Sequence, residues 1–77
     1  MVIAFVLITT KPGSEKDIYT ELKGYKEIIE LYPLFGEYDL IVRLEADDMD
    51  TIGKLVVEKV RSLDGVLETK TLTGVNF

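Results

Sequence analysis

The sequence predicts an α+β domain of β-α-β-β-α-β order, a ferredoxin-like sandwich whose antiparallel sheet runs 4-1-3-2, with residues 1–77 forming a single domain. Three observations predict it. The chain opens on Val2–Thr10, which is apolar on both faces, as a central strand covered on both sides is. Two later stretches repeat apolar residues at steps of three and four, the spacing of amphipathic helices, and a strand-like stretch follows each. A length of 77 residues leaves room for one small core. Right-handed crossovers then place both helices on the same side of the sheet, with the first and third strands central.

In the first strand Ile3, Phe5 and Leu7 share one face, and Val2, Ala4, Val6 and Ile8 the other. Lys11-Pro12-Gly13 is a turn with proline and glycine in favourable order. Ser14 has the chemistry of a helix N-cap, with Asp17 three residues on as a shortened capping-box acid. Ile18 and Leu22 then lie one turn apart on one face, and Lys23-Gly24 supplies a stop. Over Ile28–Leu34 the β-branched pair Ile28-Ile29, Tyr32 and the following Pro33 favour a strand. Pro33, lacking a ladder donor, suits an edge position or a strand end. Gly36 makes a tight hairpin turn into a third strand from Tyr38 to Glu45. There Tyr38, Leu40, Val42 and Leu44 point one way, and Asp39, Ile41, Arg43 and Glu45 the other.

Asp47 and Asp48 are rival caps for the second helix, and Asp50 adds charge near its positive end. Its apolar stripe is Met49, Ile52, Val56, Val60 and Leu63, supplemented by Leu55. Gly53 costs this helix about 1 kcal/mol relative to alanine unless close packing requires it. Leu63-Asp64-Gly65 ends the helix, Val66–Thr73 is the last strand, and residues 74–77 are a short tail.

Composition narrows the function. Nine Lys and Arg against fourteen Asp and Glu leave a formal charge of -5, no footprint for direct nucleic-acid binding. The apolar opening is too short to span a bilayer and lacks a basic n-region or a cleavage site, so a cytoplasmic setting without membrane attachment is expected. A hydrophobic fraction of 47% is hard to bury in so small a core. Two helices cover only one face of a four-stranded sheet, yet the first strand is apolar on both, so the uncovered face calls for a partner.

No residue announces a reaction. Histidine and cysteine are absent, which removes the usual neutral-pH base and the thiolate nucleophile. Ser14 is accounted for as a cap, and Ser62 has no histidine to activate it. Glu37 and Asp39 read as turn carboxylates able to pair with a ligand ammonium rather than as an acid–base pair. Asp47, Asp48 and Asp50 lack calcium-loop spacing and read as helix-start residues, so no metal and no cofactor is expected. Thr69, Thr71 and Thr73 line up hydroxyls along one face of the last strand, either as an ordinary edge strand or as the lining of an interfacial pocket. Phe35 and Tyr38 read as core or interface aromatics. An acylphosphatase-like site would need an arginine–asparagine pair, and Asn76, in the tail, is the only asparagine.

Taken in order, Ala4-Phe5-Val6-Leu7-Ile8, Gly36-Glu37-Tyr38-Asp39-Leu40, Asp48-Met49-Asp50 and Leu63-Asp64-Gly65-Val66 with Glu68-Thr69 resemble the effector-binding domain of the Lrp/AsnC family of transcription regulators. The resemblance runs from about Val2 to Thr73 and rests on the order and spacing of motifs that are individually weak. Regulators of that family carry a helix-turn-helix domain before this one. The sequence looks like a stand-alone version of the regulatory domain. The resemblance implies a homodimer built on the sheet faces, often assembled into larger rings. An amino acid or related metabolite would be held between dimers near the glycine turn and the last strand. Carried over residue by residue, Gly36, Glu37, Tyr38 and Asp39 border that site, with Thr69, Thr71 and Thr73 as hydroxyl contributors.

The reading is therefore a non-enzymatic amino-acid-binding and oligomerisation module that modulates transcription regulation through assembly, with a full-length Lrp/AsnC-type regulator as a possible partner. A structural adaptor with a degenerate pocket, or an ACT-like amino-acid-binding module, fits the same pattern. Replacement of Asp39 by alanine is expected to weaken binding and leave the dimer intact.

Overall fold

A computed structural model describes residues 1–75. Strand β1 spans Val2–Thr10, helix α1 Glu15–Lys23, β2 Ile28–Pro33 and β3 Leu40–Ala46. Helix α2, Met49–Leu55, widens into a π-helical turn over Val56–Val60, and β4 is Val66–Thr73. The sheet order is β2-β3-β1-β4, the expected 4-1-3-2 read from its other edge, and every pairing is antiparallel. The tail expected over 74–77 is followed only to Val75, its last two residues lying outside the described residues.

Strand alternation sorts the sheet into two unlike faces. On β1, Ala4, Val6 and Ile8 are fully buried, and on β3 so are Leu40 and Val42, with Leu44 all but buried. They pack against Ile18 and Leu22 of α1 and against Ile52, Leu55, Val56 and Val60 of the second helix, one continuous core with both helices on one side. Register explains the coherence: Val6 lies opposite Val42, and Ile8 opposite Leu40.

Several local expectations change. Ser14 stands at the N-cap of α1, but its hydroxyl makes no cap hydrogen bond. Instead Glu15 reaches back to accept from the Gly13 amide at 2.9 Å. At α2 the rivalry goes to Asp48, whose carboxylate accepts from the Thr51 amide and hydroxyl, both at 2.8 Å. Those bonds hold its pKa below the ordinary aspartate value, the backbone N–H contributing most. Met49 is half exposed and lies outside the core expected of it, whereas Leu55 is buried in it. The third strand begins at Leu40 rather than Tyr38, and no tight turn precedes it. Pro33, without an N–H, closes the β2 ladder, and residues 34–39 form a longer connection.

Gly53 is exposed, and an added Cβ would meet nothing within 4 Å. Close packing inside the chain therefore does not require it. Gly53→Ala is expected to stabilise the domain by about 0.8–1 kcal/mol, the propensity difference in a helix interior. Thermal denaturation checks this, and an unchanged or lowered melting temperature would assign Gly53 to a contact outside the chain. No helix among the described residues is long and apolar enough to cross a membrane.

Candidate ligand site at the β2–β3 connection

The connection over 34–39 is exposed at its tip yet anchored at its base. Phe35 is fully exposed and Leu34 41% exposed, so of the two places expected for Phe35, core or interface, the core is excluded. Gly36 has φ +144, in the region that favours glycine. At the base, the Leu34 amide donates to the Asp39 carbonyl at 2.8 Å, and the Asp39 amide to the Ile8 carbonyl at 2.9 Å. The Asp39 carboxylate is held as well. Its Oδ2 accepts from the Thr10 amide at 2.8 Å and from the Thr10 hydroxyl at 3.2 Å. Asp39 is thus tied to the end of β1 through its N–H and its side chain and to Leu34 through its C=O. Among the described residues no donor meets Oδ1. Glu37 is exposed and Tyr38 half-buried, so the acidic group with defined geometry is Asp39.

The threonines of β4 are spread along the sheet. Thr69 lies opposite Ile8, Thr71 opposite Val6 and Thr73 opposite Ala4, all on the helix-bearing side. Thr69 is half-buried, while Thr71 and Thr73 are exposed. Asp39 and Thr69 flank the same residue, Ile8, at one end of the domain. They sit on either side of β1, roughly two strand spacings or about 10 Å apart. Thr73 is about 13 Å further along, at the opposite end. Within one chain, then, Gly36 to Asp39 form one group, Thr69 lies at the same end, and Thr71 and Thr73 lead away from it.

Two further residues at this end escape sequence reasoning. Thr10, the partner of Asp39, looks like an ordinary last residue of a strand, and nothing local marks its contact with a residue 29 positions away. Arg61 follows the last turn of the second helix and borders an open cleft of about 450 Å3 with Val66, Leu67, Glu68 and Thr69. Its place after the π-helical turn, closed by the Arg61 amide donating to the Val56 carbonyl at 2.8 Å, has no period-based signal. A guanidinium and a threonine that line one cleft suit a carboxylate.

The other sheet face is left open by both helices. β1 presents Ile3, Phe5 and Leu7 there, with Ile41 and Leu72 on the neighbouring strands, opposite Leu7 and Phe5 respectively. Phe5 is 39% exposed and Leu72 48%. Toward β2 the face turns polar: Arg43 bridges Glu30 at 2.9 Å and Glu45 at 2.8 Å, and the Tyr32 hydroxyl donates to Glu30 at 2.7 Å. The Tyr32 hydroxyl first, then Arg43, holds the Glu30 carboxyl below its usual value, while the same bond raises the Tyr32 phenol.

Comparison with known proteins follows this geometry. Residues 3–74 match the family described as the Lrp/AsnC ligand binding domain. The solved structure of FFRP-DM1 superposes with a TM-score of 0.93 at 35% identity, covering 97% of this chain and 100% of that one. The structure of PHS023 from Pyrococcus horikoshii gives a TM-score of 0.91 at 34% identity, covering 100% of this chain and 93% of the other. In sequence, the HTH-type transcriptional regulator FL11 of Pyrococcus furiosus is 31% identical over 71 residues, 92% of this chain and 46% of the regulator. The chain spans about half the length of the curated relatives it matches.

Proposed function

The chain belongs to the Lrp/AsnC ligand-binding domain family, and from that premise we propose that it binds a small amino acid or related metabolite between copies of itself and couples that binding to assembly. It is a binding module, not an enzyme, and its output is transcription regulation through a full-length Lrp/AsnC-type regulator that shares the domain. The observation that carries the reading is Asp39: a carboxylate locked by two hydrogen bonds to one oxygen, with no donor to the other among the described residues. An anion held in that way is preorganised to take an α-ammonium. Arg61 and the Thr69 hydroxyl can receive the ligand's carboxylate. Asp39 and Thr69 stand about 10 Å apart across β1 by strand spacing, on a surface that is open within one chain. In the proposed assembly a second copy covers that surface, so ligand binding and association form one linked equilibrium. The open face around Phe5, Leu7 and Leu72 provides the homodimer, and contacts at the ligand end provide larger assemblies.

The test is light scattering and calorimetry with the standard L-amino acids. A ligand-dependent change in solution mass with saturable heat supports the sensor. A fixed oligomer that binds none of them supports a structural adaptor instead. Asp39→Asn is the sharper variant, because the amide oxygen still accepts from Thr10 while the charge is lost. Its affinity is expected to fall about tenfold or more, the size of one charge-assisted interaction, with little change in melting temperature. Binding equal to that of the wild type would remove Asp39 from the site. Asp39→Ala is less clean than the sequence suggested, since it strands a buried Thr10 amide at a cost of about 1–3 kcal/mol in stability.

A further inference from the structure

We infer that Thr10 is a positioning residue of the ligand site, holding the Asp39 carboxylate by its amide and hydroxyl together so that Oδ1 remains for the ligand's ammonium. The inference rests on the amino-acid-binding reading above and adds to it a residue on a different strand. Thr10 is 6% exposed, the one buried polar side chain in a core otherwise built from aliphatic residues, among those described. Such a side chain needs a partner, and in a strand end the common partner is a backbone carbonyl. Here the hydroxyl points instead to a carboxylate from the β2–β3 connection, 3.2 Å away. The backbone is arranged to the same end. The register of β1 against β4 slips between Thr9 and Thr10, and the Thr10 amide donates to Asp39 Oδ2 at 2.8 Å.

Two donors from one residue on one oxygen do what a single bond does not. Rotation of a carboxylate about its terminal torsion is broad and roughly two-fold. One hydrogen bond allows the two oxygens to exchange places, whereas a pair of donors converging from the amide and the hydroxyl favours a single orientation. A valine at position 10 would fill the same space and keep the amide bond but lose the hydroxyl donor. A serine would keep the donor and lose only a methyl group.

The experiment is calorimetric titration of the full chain with each standard L-amino acid, the tightest binder then serving as probe for Thr10→Val and Thr10→Ser. Thr10→Val is expected to bind about tenfold more weakly, and Thr10→Ser to restore most of the affinity. The unliganded solution mass of both should match the wild type. Equal binding by Thr10→Val and wild type overturns the inference and leaves the amino-acid reading standing. Equal weakening in the valine and serine variants overturns it too, because the hydroxyl would not be the cause. If no amino acid binds the wild type, the functional reading fails and the inference with it. Should Thr10→Val not fold, Thr10→Cys, with only a weak donor, takes its place in the same comparison.

Discussion

Val6→Asp is expected to abolish the folded domain, whereas Leu7→Asp, one residue further on, is expected to leave it folded and remove self-association. Val6 is fully buried between Val42 of β3 and Thr71 of β4, on the face covered by both helices. A carboxylate there has no cation within the aliphatic core, and leaving a charge buried and unpaired costs several kcal/mol. A domain of this size has only roughly 4–12 kcal/mol of stability at about 0.05–0.15 kcal/mol per residue. Leu7, half-buried, faces the other way, opposite Ile41 and Lys70, on the face that both helices leave open. Circular dichroism and light scattering on the two variants separate the faces. A folded Val6→Asp, or a Leu7→Asp that keeps the wild-type solution mass, would contradict the assignment of one covered and one associating face.

Gly65→Ala is expected to destabilise the domain by about 2–4 kcal/mol, combining a positive-φ penalty with overpacking. Gly65 has φ +98, and a Cβ there would lie 2.8 Å from Ser14 Cβ, 2.9 Å from Ser14 Oγ and 3.2 Å from Ile18 Cδ1. Retreat is blocked, because the Gly65 carbonyl accepts from the Lys11 amide at 2.8 Å. The turn before α1 and the turn before β4 are thus packed against each other. For a domain of this length each kcal/mol moves the melting temperature by about 4–8 °C, so the change is readily measured by thermal denaturation. Gly36→Ala is the control: its φ is positive, but an added Cβ meets nothing within 4 Å. Its cost should be confined to the backbone, about 1–2 kcal/mol. Equal effects at the two positions would show that the contact with Ser14 is not the cause.

The role of Ser14 shows where local reading stops. Its residue type and place before a helix argue for capping, and it does stand at the N-cap position. Its hydroxyl makes no cap hydrogen bond there, and folding brings Gly65 close against it. Phe35 is similar: the sequence leaves it as a core or an interface aromatic, and the structure excludes the core, because Pro33 ends the ladder and the residues after it are exposed. The threonines of β4 are a third case. Their alternation put all of them on one face, as the structure has it, but their usefulness to a site depends on position along the sheet, which alternation does not encode.

The order of elements, the strand sequence in the sheet, most of the apolar stripe of the second helix and the family followed from the sequence by itself, while the choice of Asp48 over Asp47 as cap and of Ala4, Val6 and Ile8 as the core face of β1 did not. Each depends on periodicity or on motif order within a few residues, where backbone geometry translates pattern directly into structure. Only the tertiary structure decided that Asp39 is locked by Thr10, that Arg61 and Thr69 line one cleft, and that Gly65 has no room for a side chain. Those contacts join residues far apart in the chain. Their geometry comes from the antiparallel registers of β1 with β3 and β4 and from the packing of α1 over the sheet, quantities that no short window of sequence contains.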